Sequence, residues 1–324
     1  MTSDELKNTV STILEEYHST QLYLVLKVNK ELVLKLADVE DEKAAPEIQR
    51  LFEEFLESAI VSDDNMIIRN LSVADESPDT IYQYDYDSYP EELNLFKQFR
   101  IEEAVTTDHF NFKADDLSHL FGYIVYIGTM ERGVILFKKH YPVSLIKRES
   151  FLLGAIKSSE RFEKLPGEDI IRLNNDVQLL RVGDTIFVLD LKMLERNMGF
   201  SALIQRAAEE TVCAIEELDI LDDIEVLRDT LEESSFARKL SKVKKASPIF
   251  KLGITKEDLI EFTKNTPELA GKFKYSEDGT KIRLGTKKSK IVFLKLLNDA
   301  FLRSELTKQY YEASVKDNIT QDVE

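Results

Sequence analysis

With 324 residues, 43% of them hydrophobic and 32% charged, the chain has the material for one large core or two ordinary ones, which excludes global disorder. Its formal net charge of −17 argues against a polyanion partner over most of the surface, and its single cysteine, Cys213, excludes an intramolecular disulfide framework and every multi-cysteine metal site. The longest apolar runs are strand-sized, far below the ~20 residues of a bilayer-spanning helix, and the acidic start at residues 1–5 lacks the positive, apolar pattern of a secretory signal, so a cytoplasmic location is expected.

Thr2 or Ser3 caps a first helix in which Leu6, Val10, Ile13, Leu14 and Tyr17 share one face, with Asp4 and Glu5 in the first turn, where negative charge is favoured. Residues 21–27 and 31–36 form a hairpin around Val28-Asn29-Lys30, and Pro46 opens a second helix with Ile48, Leu51, Phe52, Phe55, Leu56 and Ile60 as its stripe. Tyr82, Tyr84 and Tyr86 alternate as on one face of a strand. A stacking platform for bases fits that alternation, but the interleaved Asp85 and Asp87 would repel phosphates, so a half-buried strand is the expectation.

A second hairpin joins residues 121–128 to 132–139, followed by strands near 151–156, 170–173, 177–182 and 185–189, the last pair turned by Gly183-Asp184. From Ser201 the period becomes helical, with Leu203, Ala207, Ala208, Val212 and Ile215 on one face and Cys213 expected beside them as a small buried hydrophobe. Further helices are expected at 234–245, 255–264 and 289–302, with a small hairpin at Asp278-Gly279. The fold class is therefore α+β: a largely antiparallel or mixed sheet with helical cover and a helix-rich basic C-terminal part. The expected division is an acidic α+β lobe over 1–112, a second domain over 113–310 and a flexible tail over 311–324.

Charge is distributed unevenly. Between residues 236 and 310 there are 18 Lys and Arg against 8 Asp and Glu, a local excess of +10 that leaves −27 for the remainder. Arg238, Lys239, Lys242, Lys244 and Lys245 span about two helical turns, and Lys281, Arg283, Lys287, Lys288 and Lys290 cross a strand and a helix start. Merged by folding, they would neutralise phosphates and release counterions, giving sequence-tolerant, salt-dependent DNA binding. The alternatives are two solvated faces or a complement to the acidic lobe of another copy.

Catalytic patterns are weaker. Asp184 with Asp190-Leu191-Lys192 imitates the acid, acid-x-lysine arrangement of magnesium nucleases, the rival reading, although a Gly-Asp turn and a helix cap account for both acids. Gly279 and Gly285 are separated by five residues and Thr286 follows the second glycine, so the phosphate-loop motif of nucleotide hydrolases is not met; Gly285-Thr286 can still cap a helix and hold one phosphate. His18, His109, His119 and His140 are dispersed, and Asp115, Asp116 and His119 read as a helix start, so neither a metal nor another cofactor is expected and the chain is read as non-enzymatic.

Gly122-Tyr123-Ile124-Val125-Tyr126-Ile127, Leu165-Pro166-Gly167, Ile170-Ile171-Arg172-Leu173 with Val177-Gln178-Leu179-Leu180, and Asp184-Thr185-Ile186-Phe187-Val188-Leu189 before a helix-rich basic end together resemble the KwaB-like family of bacterial Kiwa antiphage systems, formerly a domain of unknown function, across about residues 121–302. The resemblance implies a DNA-binding, self-associating protein, a homodimer or higher homo-oligomer. It also implies assembly with a KwaA-like membrane subunit that recruits the protein to the inner membrane face, and a block on phage DNA replication or expression.

Overall fold

The computed structural model describes residues 1–312 other than 17, 41, 74–78, 142–144, 147–152, 157–160, 165–169, 305–306 and 308. The expected tail beyond 312, Tyr17 and the Leu165-Pro166-Gly167 stretch lie outside the described residues. Two compact units are present, one built from Met1–Leu71 and Glu76–Phe200, the other from Ser72–Asp75 and Ser201–Glu324. The boundary expected near residue 112 falls inside the first unit, because strands from both sides of it pair along most of their length.

In the first unit the order is α1 (Ser3–Glu15), β1 (Ser19–Val28), β2 (Glu31–Leu36), α2 (Ala44–Leu56), β3 (Ile67–Asn70), β4 (Thr80–Gln83), α3 (Glu91–Gln98), α4 (Ile101–Ala104), β5 (Leu120–Gly128) and β6 (Gly133–Lys139). It continues with β7 (Leu145–Ile146), β8 (Leu153–Ile156), β9 (Arg161–Lys164), β10 (Ile170–Ile171), β11 (Leu179–Val182), β12 (Thr185–Val188) and α5 (Leu191–Asn197). Eight strands form one sheet in the order β2-β1-β5-β6-β11-β12-β4-β3, antiparallel except for the parallel β3–β4 edge. β8 pairs with β9 and β7 with β10 in two small sheets of their own, so these strands do not extend the main sheet as their spacing in the sequence suggests.

Both faces of the main sheet are covered, which is why β5 is buried at every position and reads as a continuous apolar run instead of alternating. On one face Leu24, Tyr123, Val125 and Leu136 pack with Leu6 and Val10 of α1 and Phe52 and Leu56 of α2. On the other, Tyr23 meets Phe99 edge-on at 5.2 Å and Phe137 meets Phe96 at 6.0 Å. Of the two expected cap positions α1 uses Thr2, and the cap is a full capping box in which Thr2 and Glu5 exchange side-chain and backbone hydrogen bonds.

The tyrosine run becomes strand only as far as Gln83. Tyr82, Tyr84 and Tyr86 are buried, and the ring of Tyr84 stacks on Tyr89 at 4.7 Å, which removes them from any base-stacking surface.

The second unit contains α6 (Phe200–Glu217), α7 (Glu225–Arg228), α8 (Ser234–Ser241), α9 (Val243–Ala246), α10 (Pro248–Leu252), α11 (Lys256–Asn265), β13 (Lys274–Tyr275), β14 (Ile282–Arg283) and α12 (Lys287–Leu297). On α6 the buried face runs through Ile204, Ala208, Thr211, Val212 and Ile215. Cys213 is exposed, contrary to expectation, because it sits about 100° around the helix from Val212. The helix expected over 234–245 breaks at Lys242, which separates α8 from α9.

Candidate nucleic-acid interface

The basic residues of the second unit occupy three settings. Glu233, just before α8, meets Lys287 of α12, and Ser247, just after α9, donates to the Leu297 carbonyl at the other end of α12.

Among the described residues, ion pairs hold Lys281, Arg283 and Lys287 of the ten residues read as one surface. Lys281 Nζ lies 2.5 Å from Asp219, Arg283 Nε 2.6 Å from Asp222, and Lys287 Nζ 2.7 Å from Glu233. Lys256, absent from the sequence-derived set, also reaches Asp219 at 2.8 Å. The hydrogen bonds from Lys256 and Lys281 hold the Asp219 carboxyl below the usual carboxylate range, and Lys287 with Ser235 does the same for Glu233. Lys239 acts on Glu233 as well, electrostatically.

Arg238 does not belong to the surface: it is 1% exposed, inside the packing of α8, and cannot reach a phosphate. Lys242 is half-buried at the break between α8 and α9, and the side chain of Lys245 lies outside the described residues.

What remains is Lys244, exposed on α9, with Lys288 and Lys290 on α12. Among the described residues no acidic group pairs with any of these three. Lys287, Lys288 and Lys290 all fall in the first turn of α12, a turn without an acidic residue. That placement opposes the helix dipole, which favours anions at the amino end. Thr286 accepts from Ser289 N at 3.1 Å and forms the expected cap, leaving the first amides of the helix pointing outward beside the lysines.

The rival metal site is not assembled. Asp184 is 97% exposed in the β11–β12 turn, 3.7 Å from Arg100. Asp190 caps α5 by accepting from Met193 N at 2.9 Å and also accepts from Gln178 Nε2 at 3.1 Å. The four-residue β12, about 13 Å long, runs between the two acids and keeps them from sharing a site. Asp116 accepts from Ser118 N and Asp115 from Asn111 N, both within local turns.

Lysine and arginine spacing alone misses the acidic partners Asp219, Asp222 and Glu233, which lie upstream of the basic stretch that begins at residue 236. A signal for them is present in the composition: residues 201–235 carry 11 Asp and Glu against 2 Lys and Arg, the charge complement of the basic stretch.

Residues 117–307 of the chain match the family model described as Kiwa protein KwaB-like. Over 320 residues the chain is 26% identical to the Kiwa protein KwaB of Escherichia coli O55:H7 (strain RM12579 / EPEC), covering 98% of this chain and 99% of that relative. No solved structure matches the chain. Among the described residues no helix is long and apolar enough to cross a membrane.

Proposed function

Because the chain belongs to the Kiwa protein KwaB-like family, we propose that it serves Kiwa antiphage defence as a non-enzymatic module that grips the DNA backbone through its second unit. The observation that carries this reading is the crowding of Lys287, Lys288 and Lys290 into the first turn of α12, where no acidic residue of the turn offsets them. An isolated helix gains nothing from three cations at its positive end, whereas a phosphate seated there meets lysines, free amides and dipole together.

The ion-paired cations Lys256, Lys281, Arg283 and Lys287 form the reserve of the site. Exposed pairs bind weakly and are screened by salt, and duplex DNA presents about one negative charge per 1.7 Å, so phosphates compete effectively for the same ammonium groups. The interface thus comprises Lys239, Lys244, Lys256, Lys281, Arg283, Lys287, Lys288 and Lys290, with the carboxylates tuning its strength.

In this reading the protein occludes phage DNA and blocks its replication or expression, and a KwaA-like membrane subunit brings it to the inner membrane face. Incubating the purified chain with linear duplex DNA and magnesium tests the core of it. A mobility shift with intact DNA is expected; cleavage of the DNA would replace the binding role with an enzymatic one, and no shift would remove it.

A further inference from the structure

We propose that the outer edge of β2 is a receptor for an extended, lysine- and arginine-bearing segment of a partner protein, which joins the main sheet as an added strand. This inference concerns the first unit and is independent of the DNA interface.

The phase of β2 is fixed by three backbone hydrogen bonds. Ala37 N donates inward to the Leu22 carbonyl, whereas Leu36 N donates outward to Asp108 O and Leu36 O accepts from Phe110 N. Backbone groups alternate sides along a strand, so the N–H and C=O of Leu34 and Leu32 also point outward. Residues 108–110 cover only Leu36, and among the described residues nothing pairs with the other two, since β2 has β1 as its sole neighbour in the sheet. Four backbone hydrogen-bonding groups are therefore presented in a row, the arrangement that captures extended peptides.

Beside this edge lies a groove of about 470 Å³ whose apolar lining includes Leu32 and Leu34 of β2 with Leu95, Phe99 and Ala104. Leu34 lies across from Val25 and Leu36 from Tyr23 in the register, so these leucines share the sheet face that carries Phe99. An incoming strand would bury alternate apolar side chains against that lining.

Charge selects the occupant. Glu31, Glu91, Glu92 and Glu103 rim the groove, against Lys30 and Arg100. Arg100 is turned to the Lys97 and Phe99 carbonyls and to Asp184, while Glu92 meets Lys27 at 3.3 Å. Glu31, Glu91 and Glu103 are left to meet cations of the incoming chain. A second copy pairing edge to edge would set these acidic rims against each other, which disfavours self-pairing.

The test uses the intact chain and a fluorescein-labelled (Lys-Val)₄ peptide followed by anisotropy, with (Glu-Val)₄ and a (Lys-Val)₄ peptide N-methylated at alternate residues as controls. Saturable binding is expected, together with slowed hydrogen exchange at the Leu32 and Leu34 amides. Affinity should fall about tenfold or more with the surface double variant Glu31→Lys/Glu103→Lys and about tenfold with the N-methylated peptide, which keeps the charge and removes backbone pairing. Absence of binding, equal binding of (Glu-Val)₄, or indifference to N-methylation would overturn the proposal. So would a dimer of the free chain that the double variant dissociates, which would assign the edge to a second copy.

Discussion

Lys287 Nζ lies 2.7 Å from Glu233 Oε1, so a cation at the head of α12 is held by a carboxylate at the head of α8 within the same unit. The pair is exposed on both sides, 69% and 43%, and a phosphate has to displace the carboxylate to use the lysine. Glu233→Gln is therefore expected to strengthen DNA binding and to steepen its salt dependence, by up to about 0.9 in the log–log slope for one additional phosphate contact. Fluorescence anisotropy at several salt concentrations measures both. An unchanged or weaker affinity would mean that Lys287 is not part of the interface.

Asp190 and Asp184 separate structural from catalytic roles. Asp190 caps α5 and accepts from Gln178, so Asp190→Ala should cost about 0.5–2 kcal/mol of stability in urea denaturation. Asp184→Ala, at a 97% exposed turn position, should leave stability within about 0.5 kcal/mol of the parent. Neither substitution should alter DNA binding, and a magnesium-dependent cleavage lost in either would restore the nuclease reading.

Arg181 stands on β11, 4% exposed, with its guanidinium at the carboxyl end of α3. It donates to the carbonyls of Phe96 at 2.8 Å, Phe99 at 2.5 Å, and Lys97, satisfying acceptors that the end of the helix leaves open. Burial, with the Arg100 charge nearby, pulls its pKa down to about 10, still charged at neutral pH. Arg181→Met is expected to destabilise the chain by about 2–4 kcal/mol, because the carbonyls stay buried without a donor. Arg181→Lys should recover only part of this, since one ammonium cannot match the guanidinium fork.

His18 faces two acceptors, Glu16 O 2.7 Å from Nδ1 and Glu53 Oε1 2.5 Å from Nε2, to both of which the protonated ring donates. Burial pulls its pKa down, but the Glu53 hydrogen bond and charge, with the Glu16 carbonyl, outweigh this and raise it above the ordinary 6.5. The stabilisation from the charged ring is thus complete below the unfolded-state value of about 6.5 and is lost as pH rises through the raised folded-state value. Denaturation midpoints across this range should decline with pH, and His18→Gln should flatten that decline; an equal slope in the variant would place its source elsewhere.

Much of the first unit is legible in the sequence because its signals are local. Thr2 before an acidic first turn gives the α1 cap, Gly183-Asp184 gives the β11–β12 turn, and Tyr123 to Ile127 give a strand. The pairing of β1 with β5 is not legible, since Tyr23 and Ile124 sit opposite each other across about a hundred residues of intervening chain with no pattern that names the partner. The basic surface is readable only in part for the same reason. Lysine spacing on α12 is visible in sequence, whereas the return of Asp219 and Asp222 to β14, through Ile282 N to Ile220 O and Asp222 N to Ile282 O, is a tertiary contact that cancels charges a linear count adds up. Arg238 falls on the wrong side of the sequence reading because helical periodicity assigns faces only relative to the packing that α8 receives.

The most direct measurement is a salt titration of duplex DNA binding for the parent chain beside Lys287→Glu/Lys288→Glu/Lys290→Glu. Backbone binding at α12 requires that log affinity of the parent fall linearly with log salt, and that the triple variant bind more weakly at low salt with a slope smaller by about 3. Identical affinity and slope in the two proteins would contradict it.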